Sequence, residues 1–271
     1  MHPLLNIGIR AARRAAIVIT RGLGRLDTLE VTSKARNEFV SDVDRQAEQE
    51  IIDTIRHYHP EHGILAEESG ASAAAGDNEF VWIIDPLDGT TNFLHGFPQF
   101  CVSIAVQCRG RLEHAVIYDP LREELYTASR GGGAQLNDRR LRVSKSRGIE
   151  GALIATGLPY RANLKWLDSY LPMLKAVALA AAGVRRPGSA ALDLAWVAAG
   201  RTDAYWELGL SPWDTAAGVL LVTEAGGRVG TLTGADYALG HDIVAGSPKT
   251  YEALLALLAP HLPDDLKPAS G

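Results

Sequence analysis

Apolar residues recur at helical spacing from the start of the chain. Leu4, Ile7, Ala11, Ala15 and Val18 make one stripe over Pro3 to Gly22, with Arg10, Arg13, Arg14 and Arg21 largely off it. The pattern predicts an amphipathic helix that ends at Arg21-Gly22-Leu23-Gly24. A polar loop, Ser33 to Glu38, leads into Phe39-Val40. A second helix is expected to begin at Ser41 or Asp42, because Ser41 and Asp44 have the spacing of a capping box. Ala47, Ile51, Ile55 and Tyr58 give it an apolar face. Gly63 to Ala66 and Phe80 to Ile84 read as short strands, and the small-residue stretch Ser69 to Asn78 between them reads as a mobile loop. Strands at Phe100–Gln107, Leu112–Tyr118 and Glu124–Ala128 follow with short turns, as in an antiparallel meander. Gly131-Gly132-Gly133 reads as a turn, since no helical pattern follows it.

After about Ser144 helix and short strand alternate. Ile154, Val184-Arg185, Ala204-Tyr205-Trp206 and Ile243-Val244-Ala245 read as extended. Trp166–Ala182, Ala190–Ala199, Trp213–Ala225 and Tyr251–Leu258 read as helical. Ala190–Ala199 is apolar almost all round, which predicts a buried helix. The tail after Pro260 is expected to fray. These patterns predict an α/β (α+β) protein.

Composition narrows the class. The 271 residues are 46% hydrophobic and 22% charged, as in an ordinary globular enzyme, and suffice for one large domain or two intimate ones. The net charge of -5 disfavours a dedicated nucleic-acid binder. The longest apolar run, Ala176 to Val184, falls far short of the roughly 20 residues of a membrane span, so no membrane association is expected. The arginines of the first helix faintly resemble a transit peptide, but the amphipathic stripe explains them better. Cys101 and Cys108 lie in one predicted strand, too far apart to bridge and on opposite faces. Two buried thiols suggest a reducing cytoplasm.

The chemistry concentrates in Asp85-Pro86-Leu87-Asp88-Gly89-Thr90-Thr91, which follows an apolar strand. Pro86 forces a turn that can aim both carboxylates at one point. Acids brought together in a low-dielectric cleft call for a cation, and oxygen-only ligands select magnesium, manganese or calcium over zinc. Gly89-Thr90-Thr91 can present N–H groups at a helix start, where phosphate binds, and a threonine hydroxyl can orient a water. Taken alone, Glu67-Glu68 is a surface pair, Asp44 a helix cap, and Asp214 in Ser211-Pro212-Trp213-Asp214 a first-turn acid. His57, His59 and His62 look like a metal cluster, but they have no cysteine or fourth ligand. Partly protonated histidines at a helix C-terminus are the better reading. A Ser-His-Asp hydrolase is disfavoured by the absence of a G-x-S-x-G elbow.

In order along the chain, Ala66-Glu67-Glu68-Ser69, Asp85 to Thr91, and Trp213-Asp214-Thr215-Ala216-Ala217-Gly218 resemble the inositol monophosphatase family. The match runs from Asp44 to about Ser247. Arg185-Arg186-Pro187-Gly188-Ser189-Ala190-Ala191-Leu192-Asp193-Leu194 and Gly200 to Glu207 look most like its bacterial, SuhB-like subgroup. The resemblance implies a layered α-β-α-β-α sandwich of the inositol monophosphatase and fructose-1,6-bisphosphatase type. It implies a half at 1–146 with most metal ligands and a half at 147–271 with Asp214 and the substrate side, joined as one catalytic unit. It also implies a Mg2+-dependent, lithium-sensitive phosphatase of small polyol phosphates, with Mn2+ a possible substitute, usually a homodimer in the cytoplasm. By motif position Glu67, Asp85, Asp88, Asp214 and the Leu87 carbonyl would hold two to three metals, Asp44 serving the third metal or its water. Glu67 and Thr90 would orient the attacking water, Gly89 and Thr90 would receive the phosphate, and Asp88, Ala190 and Glu207 would contact the alcohol.

Three positions depart from the pattern of the family or of its animal members, Ser211 and Gly157 to Tyr160 on the substrate side. Ala66 replaces the usual glycine, Ser211 stands where animal members carry histidine, and Gly157-Leu158-Pro159-Tyr160 follows the bacterial pattern. The same chemistry on fructose bisphosphate, histidinol phosphate or a nucleotide 3'-phosphate is one alternative. Another is the role of some subgroup members in antitermination of ribosomal RNA transcription and in ribosome biogenesis, with antitermination factors or RNA polymerase as partners. The surface around Arg185 and Arg186 would then matter, where a dimer contact is the plainer reading.

Overall fold

A computed structural model describes residues 2–28, 31–35, 38–72 and 78–267 of the chain. Helix α1 (Pro3–Leu23) carries the expected stripe inward, and its four arginines lie exposed. The predicted polar loop after it instead contains two short antiparallel strands, β1 (Val31–Ala35) and β2 (Glu38–Ser41). They lead into α2 (Asp42–Tyr58).

The first sheet has eight strands in the order β10-β9-β8-β7-β6-β5-β3-β4. They are β3 (Gly63–Ala66), β4 (Gly70–Ala71), β5 (Phe80–Asp88), β6 (Cys101–Cys108), β7 (Arg111–Asp119), β8 (Glu124–Ser129), β9 (Gly133–Leu136) and β10 (Arg139–Arg140). The run from β5 to β10 is the predicted meander with two further strands, and β3 lies parallel to β5. The second sheet has five strands in the order β12-β11-β13-β15-β14. These are β11 (Leu153–Thr156), β12 (Gly183–Arg185), β13 (Ala204–Glu207), β14 (Arg228–Gly230) and β15 (Ile243–Gly246).

Helices make the remaining layers, and each helical layer packs in its own apolar core. α1 and α2 cover the outer face of the first sheet, where Ile19, Val43, Ile51, Trp82, Ile84 and Ile104 are buried together. α5 (Ala190–Ala198) and α6 (Pro212–Glu224) lie between the sheets, with Leu192, Leu194, Leu221, Ile117 and Tyr205 packed around them. α4 (Leu167–Ala180) and α7 (Pro248–Leu258) cover the second sheet from outside, over Ile154, Trp206, Met173 and Leu254. The result is the expected α-β-α-β-α sandwich, and α5 is the buried helix its composition predicts.

Several local expectations are corrected. β5 does not stop at Ile84 but continues through Asp88. Asp85 still pairs with Ser103 and Asp88 with Cys101, while the register shifts between them. Pro86, with no N–H for the ladder, makes that bulge natural. Tyr58 is exposed, and its hydroxyl accepts from Arg10 instead of joining the apolar face. Cys101 is buried but Cys108 is only partly so, and both are free thiols. The tail does not fray at Pro260. Leu262 and Leu266 pack against the third core, and Asp265 accepts from Trp166 and Lys165. The small-residue loop falls in part at residues 73–77, outside the described residues. No described helix is long and apolar enough to cross a membrane.

The two central helices touch where α6 has Gly218. A Cβ there would stand 2.5 Å from the Leu194 side chain of α5. Gly218→Ala should overpack this layer and cost about 1–3 kcal/mol, read as a lower urea midpoint with an unchanged m-value.

Candidate active site

The Asp85–Thr91 segment reaches the edge of a cleft of about 270 Å³ between the two sheets. That is near the lower end of small-molecule pockets (~300–1,000 Å³) and suits one small ligand. Asp85 is fully buried, and its Oδ1 accepts the Leu87 N–H at 3.0 Å, which fixes the turn across Pro86. Gly89 then takes φ +98°, and a Cβ there would meet the Gln99 carbonyl at 2.8 Å, so only glycine fits. The chain enters the one-turn helix α3 (Thr90–Leu94) from that residue. Thr90 Oγ1 donates to Asp44 Oδ1 at 2.9 Å, with the Leu87 carbonyl also in reach at 3.1 Å.

Asp44 is part of the expected capping box, since its Oδ2 accepts from Ser41 N (2.8 Å) and Ser41 Oγ (2.5 Å). It is buried behind the cleft and meets it through Thr90 rather than lining it. Glu67 lines the cleft from the end of β3, where its N–H donates to the Ile84 carbonyl of β5.

The second sheet and the central helices close the other side. Asp88 Oδ2 accepts from Ser189 Oγ (2.6 Å) and from Ala191 N (2.7 Å) at the start of α5, and the residue lines the cleft. Asn92 of α3 donates to the carbonyls of Pro187 (2.9 Å) and Gly188 (3.2 Å), a second tie between the halves. Asp214 sits in the first turn of α6, after Pro212, and its Oδ2 accepts the Ser211 N–H at 2.7 Å. Glu207 ends β13, buried, with the Tyr205 hydroxyl donating to it. A Cβ on Gly157 would lie 1.9 Å from the Glu207 carboxyl carbon, so the cleft depends on a glycine there. Ala190 and Arg186 also line the cleft. Both arginines are exposed, but Arg185 ends the edge strand β12 away from the cleft, so the two neighbours serve different surfaces.

Five acids therefore face one small space: Glu67, Asp85, Asp88, Glu207 and Asp214. Burial raises Asp85 well above the usual carboxylate range, and Glu67, Asp88 and Asp214 add repulsion. Burial raises Asp214 likewise, with Asp88 and Glu67 contributing. Burial carries Asp88 to about 6 although hydrogen bonds from Ser189, Ala191 and Ala190 pull the other way, and it carries Glu207 to about 7 against the Tyr205 bond and Arg186. Asp193, buried on the first turn of α5, is also raised by burial and by Glu207 and Asp88. An all-oxygen set of mutually repelling acids beside the Leu87 carbonyl fits hard divalent cations.

A separate group, His59, Glu61 and His62, brings its ligand atoms within 4.8 Å of one another at the end of α2. His57 is not in it. The Trp82 indole donates to His62 Nδ1 at 3.0 Å, which puts the proton of neutral His62 on Nε2, the atom facing Glu61. No lone pair is then left there for a metal. Burial also lowers the His62 pKa, against the expectation of a partly protonated histidine at the helix end.

The structure thus gathers every residue that the sequence nominated, Asp44 one layer back. It adds Ser189, Asn92, Gly157 and Tyr205, for which the sequence gives little signal: a serine before a buried helix, an asparagine in a short turn, one glycine among many, a tyrosine in a strand.

These features define a layered α/β protein with an acid-lined cleft for a small phosphorylated ligand. The chain belongs to the inositol monophosphatase family, whose sequence model matches residues 1–263. Among its relatives is the Nus factor SuhB of Pseudomonas aeruginosa, 54% identical over 98% of this chain and 100% of the relative. A crystal structure of the extragenic suppressor protein SuhB from Bartonella henselae superposes with a TM-score of 0.92 at 43% identity, covering 96% of this chain and all of that one. The inositol monophosphatase of Anabaena superposes with a TM-score of 0.84 at 38% identity, covering 97% of both chains.

The raised carboxylates fix a pH dependence. Asp88 at about 6 and Glu207 at about 7, against ordinary values of 3.8 and 4.5, mean that the folded chain binds more protons than the unfolded one in this window. Stability of the metal-free protein should therefore fall as pH rises from about 4 to 7. Calorimetric scans should show a lower melting temperature at pH 8 than at pH 5, and a larger rise on adding Mg2+ at pH 8.

Proposed function

We propose that the chain is a Mg2+-dependent phosphomonoesterase that hydrolyses inositol monophosphate or a similar small polyol phosphate to alcohol and phosphate. The observation that carries this reading is the convergence of Glu67, Asp85, Asp88 and Asp214 on one cleft beside the Gly89–Thr90 helix start. Glu67, Asp85, Asp88, Asp214 and the Leu87 carbonyl would hold two to three Mg2+, with Mn2+ able to substitute and Li+ to inhibit. Bound there, the metal would lower the pKa of a water and offset charge on the leaving oxygen.

The chain's own groups do the positioning. Thr90 directs its proton to Asp44 and so turns hydroxyl lone pairs to the cleft, where with Glu67 it orients the attacking water. Gly89 and Thr90 N–H groups receive the phosphate. Asp88, Ala190 and Glu207 contact the alcohol, with Glu207 accepting from its hydroxyls. The catalysis is mostly placement and charge neutralisation, as expected of phosphoryl transfer. We place the boundary between the two halves at residue 146 and the protein in the cytoplasm. We also read it as a homodimer, which the exposed apolar Leu171 and Leu179 of α4 support.

A second reading rests on the relatives named Nus factor SuhB. It makes the chain a regulatory protein of ribosomal RNA transcription that binds antitermination factors or RNA polymerase, with exposed Arg185 on its surface. The two roles are compatible and separable.

Asp88→Asn should lower Mg2+-dependent phosphate release by at least about a hundredfold while circular dichroism stays unchanged; full activity would refute the site. Release from a panel of inositol phosphate, fructose bisphosphate, histidinol phosphate and 3'-nucleotides, with and without Li+, ranks the substrates. Glu207→Ala should raise KM for a hydroxyl-rich substrate about tenfold or more, the loss of a charge-assisted hydrogen bond, and leave p-nitrophenyl phosphate nearly unaffected. If Asp88→Asn restores growth to a deletion strain, the regulatory role is the essential one; failure to restore it assigns that role to catalysis.

A further inference from the structure

Glu48 lies on α2 one turn after Asp44, on the buried face between Ala47 and Ile51, and is 3% exposed. A carboxylate there is unfavourable unless hydrogen bonds satisfy it. Its Oε2 accepts the Glu68 N–H at 2.8 Å and its Oε1 accepts the Ser69 N–H at 2.9 Å. Both N–H groups belong to the turn of the β3–β4 hairpin, in which Ala66 pairs with Gly70 and Gly70 takes φ +75°. The residue before them is Glu67, whose own N–H donates to the Ile84 carbonyl at 3.1 Å.

The backbone that carries Glu67 is therefore gripped from two sides. β5, the strand bearing Asp85 and Asp88, holds it before the turn. α2, the helix bearing Asp44, holds it after. Glu48 itself does not line the cleft. Charge-assisted bonds to two successive amides are strong and directional, so the turn cannot swing without stranding a buried charge.

We propose that Glu48 is a positioning residue: it locks the 67–69 turn against α2, so that Glu67 is presented to cation and water before either arrives. The identity of that cation rests on the function proposed above. The structural reason for a second buried acid on this face of α2, beside Asp44, is this clamp.

Glu48→Gln is nearly isosteric but turns one acceptor into a donor facing an N–H. The test compares wild type, Glu48→Gln and the exposed control Gln49→Ala by calorimetric titration of Mn2+ into metal-free protein. Circular dichroism and melting without metal check the fold, and kcat and KM are measured at saturating metal. Loss of such supporting bonds generally weakens a metal site about 10–100-fold. Glu48→Gln should show that loss of Mn2+ affinity and a lower kcat, with KM within about twofold, while Gln49→Ala matches wild type. Mn2+ affinity of Glu48→Gln equal to wild type would overturn the clamp, whereas a wild type that binds no Mn2+ would overturn the metal reading instead. Amide exchange of metal-free wild type tests the clamp without any variant. The Glu68 and Ser69 amides should exchange as slowly as those of β3, and exchange at open-loop rates would overturn it.

Discussion

The site depends on one contact, the acceptance by Asp88 Oδ2 of the Ser189 hydroxyl and the Ala191 N–H. It joins the last residue of β5 to the first turn of α5, across a separation of 101 to 103 residues in sequence. α5 packs on α6, which carries Asp214, and against β13, which carries Glu207. Fixing Asp88 to α5 therefore sets the distance between the acids of the first sheet and those of the second half. Asn92 reinforces the joint by holding the carbonyls of Pro187 and Gly188.

That joint also concentrates a cost. Asp85, Asp88, Glu207 and Asp214 all have raised pKa values, and burial is the first cause for each. A domain is stable by only about 5–15 kcal/mol, so several buried acids are a substantial burden. The three apolar cores carry it. The acids sit where central-layer helices begin and strands end, with backbone N–H groups of Leu87, Ala191 and Ser211 aimed at them. Those bonds orient each carboxylate and lessen the burial penalty, but they do not cancel the mutual repulsion.

Much of this was legible in the sequence because the chemistry is compressed into short motifs. Asp85 to Thr91 spells out two aimed acids, a glycine and a helix start in seven residues, although β5 bulges on through Asp88 where a turn is expected, and Ser211 to Asp214 spells out a capped helix. The layers were legible as well, because α5 is apolar all round and α1 on one face. What escaped was whatever depends on two distant segments meeting. Glu48 had a readable signal, an acid at a position that the 3.6-residue period assigns to the interior beside Ala47 and Ile51, but its partner is a turn some 20 residues on. Gly157 was visible only as part of the Gly157 to Tyr160 pattern, and the reason for a glycine was not, because its need for a bare backbone comes from Glu207 on another strand. The protonated reading fails for His62 because burial, helped by the neighbouring His59, lowers its pKa.

The same balance bears on how catalytic and regulatory roles share this chain. Exposed features such as Arg185 on β12 and the apolar side chains of α4 lie outside the cleft and could serve a partner without any acid inside it. Taking an ionised group out of water costs on the order of several kcal/mol per ion. A chain needed only as a surface would gain by losing the acids of the cleft. This one has all five, the glycines that make room for them, and the hydrogen bonds from Ser189, Tyr205 and Ser211 that aim three of them. Such a set is destabilising unless it is used, which supports the cation and phosphate cleft proposed above whatever the outer surface also does.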